Sequence, residues 1–140
     1  MTIVVDASIT LAWLHGDERT DVVETIFRRI GKTGAVVPAV WPLEVANGLT
    51  MAVRRGRTSS ALRDRALSDL TAVPINIDDE TNVYAWTATI KLADLHGLTV
   101  YDAAYLELAQ RRRLPLATLD KALRAAAEKS GVEILPSRGP

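Results

Sequence analysis

The chain has 140 residues, 48% hydrophobic and 24% charged, enough to bury about two-thirds of its unfolded surface in one core and too apolar for a disordered chain. Its 17 basic and 17 acidic side chains cancel, so no global field draws it to nucleic acid or an anionic membrane, and any such contact has to be local. With no cysteine, no leader-like N-terminus and no apolar run of membrane length, the expectation is one domain, residues 1–140, in a reducing cytoplasm, without disulfides, thiolate metal sites or a membrane partner.

Short runs rich in Val, Ile and Leu, bounded by Gly, Pro, Asp or Ser, predict buried parallel strands at 2–5, 35–38, 74–77, 115–118 and 132–135. Between the first two, Val22, Val23, Ile26, Phe27 and Ile30 form one face of a helix, with Asp17 placed to cap its start and Gly31 to end it. Pro42 suits the first turn of the next helix, which is expected to carry Leu43, Ala46, Leu49 and Val53 inward before Gly56. Ser59 or Ser60 caps a third, with Leu62, Ala66, Leu67 and Leu70 on its core face. Val83, Trp86, Ile90 and Ala93 mark a fourth, closed by His96 and Gly97. Asp102 opens a fifth that reaches Gln110, and Asp120 caps the last. Strands alternating with helices imply right-handed crossovers and an α/β fold: a three-layer α/β/α sandwich around a mostly parallel sheet of about five strands.

On that framework four acids stand out. Asp6 follows the first strand, Glu44 lies in the first turn after Pro42, and Asp102 and Asp120 each open a helix. Parallel strands put such positions along one edge of the sheet, where open α/β sheets bind ligands. One Asp at a helix start is an ordinary cap. Four carboxylates at one edge repel one another unless a cation neutralises them, and hard oxygen ligands select magnesium or manganese. Glu44 is the least easily read as a cap, and Asn47 one turn on is expected to share its side of the helix.

The ordered set resembles the PIN-domain ribonucleases, and among them the VapC toxins of bacterial and archaeal toxin–antitoxin pairs. The likeness rests on a strand running into Asp6 with Ser8 two residues on, an early-helix Glu44 with Asn47, the Tyr-Asp-Ala-x-Tyr segment at 101–105, and Thr118-x-Asp120. It spans the whole chain and implies a PIN-like fold with a magnesium- or manganese-dependent endoribonuclease site. Asp6, Glu44 and Asp102 would be the principal metal ligands, and Asp120 a ligand of a second ion or a water-orienting group. Ser8, Thr118 and Asn47 would support those carboxylates. The resemblance further implies an RNA substrate, a homodimer, and a cognate antitoxin whose C-terminal segment covers the groove.

Other features read plainly. Thirteen of the basic residues are arginine, eight of them in clusters at 28–29, 54–57 and 111–113, each expected at a helix end, where cations complement the dipole. His15 and His96 are not expected to be ligands, Trp86 is expected in the core, and Tyr101 and Tyr105 are expected to pack. Trp13 and Trp41 flank the first two acids, where they would either line an exposed groove for RNA bases or an antitoxin helix or pack under the sheet edge. An aspartyl-nucleophile phosphatase would want a second Asp at the position of Ser8. A housekeeping RNA-processing nuclease and a catalytically silent binding module are the remaining alternatives.

Overall fold

The structure, a computed structural model, describes residues 1–137. Five strands, β1 (Ile3–Val5), β2 (Ala35–Val37), β3 (Ile75–Ile77), β4 (Leu116–Ala117) and β5 (Ile134–Leu135), form a single parallel sheet in the order β3-β2-β1-β4-β5. The chain builds outward from β1 through β2 to β3, then returns to lay β4 on the other side of β1. The order therefore reverses between β1 and β4, and a crevice opens beyond their carboxyl ends. Register there is set by Val4 opposite Leu116 and Val5 opposite Ala117. All three residues of β1 are fully buried, as a central strand covered on both faces must be.

Eight helices lie among the described residues. α1 (Ala7–Leu14) follows β1 directly, and α2 (Asp21–Thr33) leads into β2. α3 (Trp41–Arg54) and α4 (Ser60–Leu70) connect β2 to β3; α5 (Thr81–Tyr84), α6 (Ala88–His96) and α7 (Val100–Arg112) connect β3 to β4; α8 (Lys121–Lys129) precedes β5. α1 packs on α2 and α3, and α3 on α4, while α7 packs on α6 and α8. Right-handed crossovers account for this division into two helical layers.

All five strands fall within the expected runs, but several helical details differ. α1 was not foreseen. Asp17 does not cap α2; it lies in a short 3-10 turn and pairs with Arg57 at 3.1 Å, and Thr20 caps the helix instead, accepting from Val23 N–H at 3.3 Å. Gly31 sits within α2, which runs on to Gly34, where φ of 77° ends it. Consequently Arg28 and Arg29 are not in the last turn; Lys32 is. The core face of α3 is Trp41, Val45, Leu49 and Ala52, whereas Leu43 is 74% exposed. Leu62 on α4 faces solvent too, although Ser59 caps that helix as expected, accepting from Leu62 N–H at 3.1 Å.

The segment expected as one helix from Val83 to His96 is two helices. Thr87, with φ −121° and ψ −95°, breaks the ladder between α5 and α6, so the apolar period no longer tracks one face. Val83, Trp86 and Ile90 are exposed, Trp86 by 88%, and only Ala93 of the four is buried. Gly97 in the left-handed region does end α6, where its amide bonds Ala93 C=O.

A buried ionic cluster ties α7 to the loop after β3. Arg111 pairs with Asp78 at 2.7 Å, with Glu107 at 2.7 Å and with Glu80 at 3.5 Å, and its guanidinium lies over the Tyr84 ring. Burial alone would raise Asp78, but the Arg111 hydrogen bonds and charge outweigh it and hold the carboxyl below its usual range. No helix among the described residues is long and apolar enough to cross a membrane.

Candidate active site

Each of the four acids stands at the start of a helix. Asp6 is the N-cap of α1 and Asp120 the N-cap of α8, accepting from Ile9 N–H at 3.1 Å and Leu123 N–H at 2.8 Å. Glu44 lies in the first turn of α3. Asp102 lies in the first turn of α7, whose cap is Thr99 and not Asp102 itself. Helix N-termini favour negative charge, so four of them aimed at one edge offset part of the repulsion among these side chains.

The β1–β4 register decides what meets Asp6. Because Val5 lies opposite Ala117, the next residues, Asp6 and Thr118, are brought side by side at the carboxyl ends of their strands. The Thr118 hydroxyl donates to Asp6 Oδ2 and the Ser8 hydroxyl donates to Oδ1 at 2.6 Å. Ser8 Oγ also accepts from Leu119 N–H at 3.0 Å, and Thr118 Oγ1 from Asp120 N–H at 3.0 Å, so each hydroxyl is held from both sides. Behind them Arg124, itself buried, donates to Thr118 C=O at 3.0 Å and Pro136 C=O at 2.8 Å, fixing the turn that carries Thr118 and Asp120.

Across the crevice, the Tyr105 hydroxyl donates to Glu44 Oε1 at 2.6 Å. Tyr105 is 1% exposed and comes from α7, Glu44 from α3, so this bond joins the two helical layers over the sheet edge. Asn47, expected to hold Glu44, is exposed and is not among the hydrogen-bond partners of that carboxylate.

The charges of the four acids are coupled through Asp102. Burial, opposed by the Ser8, Thr118 and Ile9 hydrogen bonds and assisted by Asp102, pushes the Asp6 carboxyl up to about 6. Burial likewise raises Glu44, against its Tyr105 bond and with the charge of Asp102 adding. Asp102 is raised by burial and then by the charge of Asp120. Asp102 thus feels or is felt by each of the other three. Burial, then the Glu44 bond and charge, drive Tyr105 far up, so it keeps its proton as a donor. None of the four acids joins an ion pair with a basic side chain of the described residues.

A cluster of hard oxygen donors without a protein cation fits a divalent metal ion. The four do not collapse on one another. Among the described residues, three acids with ligand atoms all within 4.8 Å occur at Asp78, Asp79 and Glu80, where Arg111 already supplies the positive charge. No three of Asp6, Glu44, Asp102 and Asp120 bring their ligand atoms that close together, which is compatible with an ion held in part through its own waters.

Of the two expectations for Trp13 and Trp41, an exposed groove or packing under the sheet edge, the structure shows packing. Trp41 is buried and donates its indole N–H to Thr10 Oγ1 at 3.1 Å, and Trp13 stacks on Phe27 with centroids 4.3 Å apart under Arg19. Exposed near the acids instead are Leu43 and, at 61%, Tyr101, which does not pack. His15 closes α1 and His96 contacts Ser130 Oγ, both away from the carboxylates. Sequence reasoning missed Arg124, four residues after Asp120 and on the same side of its helix, and took Tyr105 as packing alone; the spacing at 120 and 124 was the available signal for the first.

Comparison with known proteins bears on the family and the fold. A family model described as PIN domain matches residues 3–129. Ribonuclease VapC3 of Pyrobaculum aerophilum is 33% identical over 140 residues, covering 97% of this chain and 100% of that protein. Among solved structures, PAE2754 from Pyrobaculum aerophilum aligns with a TM-score of 0.69 at 24% identity, over 96% of this chain and 84% of the other. A toxin–antitoxin complex from Klebsiella pneumoniae aligns at 0.68 and 16% identity, over 99% and 100%.

Proposed function

The chain belongs to the PIN-domain family, and from that premise we propose that it is a metal-dependent endoribonuclease acting as the toxin of a toxin–antitoxin pair. What supports the reading is that Asp6, Glu44, Asp102 and Asp120 all stand at helix starts and are coupled in charge through Asp102, with no basic side chain among their partners in the described residues. The name and near-full-length likeness of the ribonuclease relative support the reaction class. Toxin–antitoxin neighbours support an antitoxin partner.

In this reading Asp6, Glu44 and Asp102 hold magnesium or manganese, directly or through water, and Asp120 holds a second ion or orients water. The ion, when bound, supplies Lewis-acid stabilisation of phosphoryl charge and lowers the pKa of water. The protein's part is positional. Ser8 and Ile9 N–H donate to Oδ1 of Asp6 and Thr118 to Oδ2, so the carboxylate is held in one orientation with an acceptor position left on Oδ2. Arg124 keeps Thr118 in place, and Tyr105 does the same for Glu44. The helix N-termini lower the cost of holding the acids ionised near neutral pH, where burial would otherwise keep Asp6 protonated in part.

RNA is the proposed substrate, reached without a broadly basic surface, since net charge is zero. The exposed Leu43 and Tyr101, each adjacent in sequence to a site acid, give an antitoxin segment apolar surface to cover. Exposed Val83 and Trp86 favour a homodimer by the same reasoning. A cytoplasmic setting follows from the RNA substrate. The test is purified protein on a mixed RNA pool with manganese, with and without EDTA, beside an Asp102→Asn variant. Cleavage that needs the metal and Asp102 is expected; cleavage indifferent to both would remove the proposal.

A further inference from the structure

Glu44 is the only one of the four acids whose hydrogen-bond partner is a phenol, and the partner comes from the opposite helical layer, 61 residues away. The Tyr105 hydroxyl donates to Oε1 at 2.6 Å, while Oε2 has no hydrogen-bond partner among the described residues and is not a buried, unsatisfied atom. One oxygen is thus tied to a ring that cannot move, since Tyr105 is packed at 1% exposure between fully buried neighbours of α7. The other oxygen is free and reaches solvent.

We propose that Tyr105 is a positioning residue that restricts Glu44 to single-oxygen coordination, and that this restriction makes the site discriminate for small six-coordinate cations against calcium. The inference rests on the metal-dependent reading above. Magnesium is bound through one or two carboxylates and retains several waters at about 2.0–2.1 Å, whereas calcium takes six to eight oxygens and accepts carboxylates that chelate through both oxygens. A Glu44 whose Oε1 spends one of its two lone pairs on the phenol, and is held in that orientation by it, is a poorer chelate for calcium than a carboxylate with both oxygens free to turn. Removing the hydroxyl lets the carboxylate rotate and chelate. Outer contacts of this kind typically change metal affinity by about 10- to 100-fold.

The experiment is calorimetric titration of the whole protein with Mn2+ and, separately, Ca2+, for wild type, Tyr105→Phe, Glu44→Ala and the double variant. Expected is Mn2+ binding at least about tenfold weaker in Tyr105→Phe, with Ca2+ binding unchanged or tighter, so that the Mn2+/Ca2+ ratio narrows. In the Glu44→Ala background, Tyr105→Phe should have no further effect. Equal weakening of both metals would mean that the hydroxyl positions Glu44 without selecting the ion, and unchanged binding or additive losses in the double variant that it does not act through Glu44; each overturns the inference. Wild type that binds neither ion would overturn the inference together with the metal-dependent reading. Metal-induced infrared difference spectra of the wild type, with the Glu44 band assigned by its absence in Glu44→Gln, give a check that does not depend on the folding of the Tyr105 variant. A single-oxygen carboxylate signature with Mg2+ is expected, and a chelating one refutes the proposal.

Discussion

Replacing Asp6 by Asn should stabilise the metal-free protein while abolishing cleavage. Burial raises the Asp6 carboxyl from 3.8 to about 6, so at pH 7.5 keeping it ionised in the fold costs roughly 3 kcal/mol at 1.36 kcal/mol per unit. Asn removes that cost and keeps an acceptor oxygen for Ser8 and Ile9. Its amide, however, faces Thr118 Oγ1, which already accepts from Asp120 N–H, and that mismatch costs about 1 kcal/mol. The net gain is about 2 kcal/mol; with an unfolding entropy near 0.3 kcal/mol per kelvin for a chain of this size, Tm should rise by about 7 °C. The sign with pH is fixed. A carboxyl whose folded value lies above its unfolded one binds more protons when folded, so wild-type stability increases as pH falls from about 6 toward 4. The advantage of Asp6→Asn should therefore be complete above pH 6 and gone near pH 4. Thermal unfolding by circular dichroism in EDTA at pH 7.5 and pH 4 measures both. A lower Tm at pH 7.5, or a difference independent of pH, would show that Asp6 is a structural cap whose charge the fold needs.

Asp120→Ala should act oppositely on stability, because this exposed side chain caps α8: a loss of about 1 kcal/mol in denaturant titration, with reduced RNA cleavage, is expected. Arg111→Met strands the buried carboxylates of Asp78 and Glu107 and should cost about 3–5 kcal/mol, read as a Tm lower by about 10 °C or more; adding Asp78→Asn should recover part of it. Gly48→Val places a Cβ 2.5 Å from Leu11 Cδ1, forcing α1 from α3 and so Asp6 from Glu44; a loss of about 1–3 kcal/mol is expected in urea titration, and Leu11→Ala in the same chain should restore most of it.

The strands and the four helix-start acids were legible because each depends on local pattern: an apolar run followed by Asp6, a Pro42 turn before Glu44, a Tyr-Asp step at 101–102 opening a helix, a Leu-Asp step at 119–120. α1 was not, since Ile9, Ala12, Leu11 and Leu14 are apolar around most of the helix and leave no period to detect. For α3 the reading shared Leu49 with the true face but rotated the rest, placing exposed Leu43 inward. Trp86 fitted the period of Val83, Ile90 and Ala93; what expels it is the backbone at Thr87, where no Gly or Pro announces a break. Tyr105 was read for its ring, and the pairing of its hydroxyl with Glu44 depends on how α7 crosses the sheet edge, which spacing along the chain does not encode.

The pairing of β4 with β1 has a bearing on how the chain is made. The contact that orients Asp6 spans 112 residues, so during synthesis the first acid waits, without its threonine, until nearly the whole chain has left the ribosome. Long-range closures of this kind form late. In the ribonuclease reading proposed above, the nascent chain therefore passes the RNA around it with this site unassembled until β4 has docked.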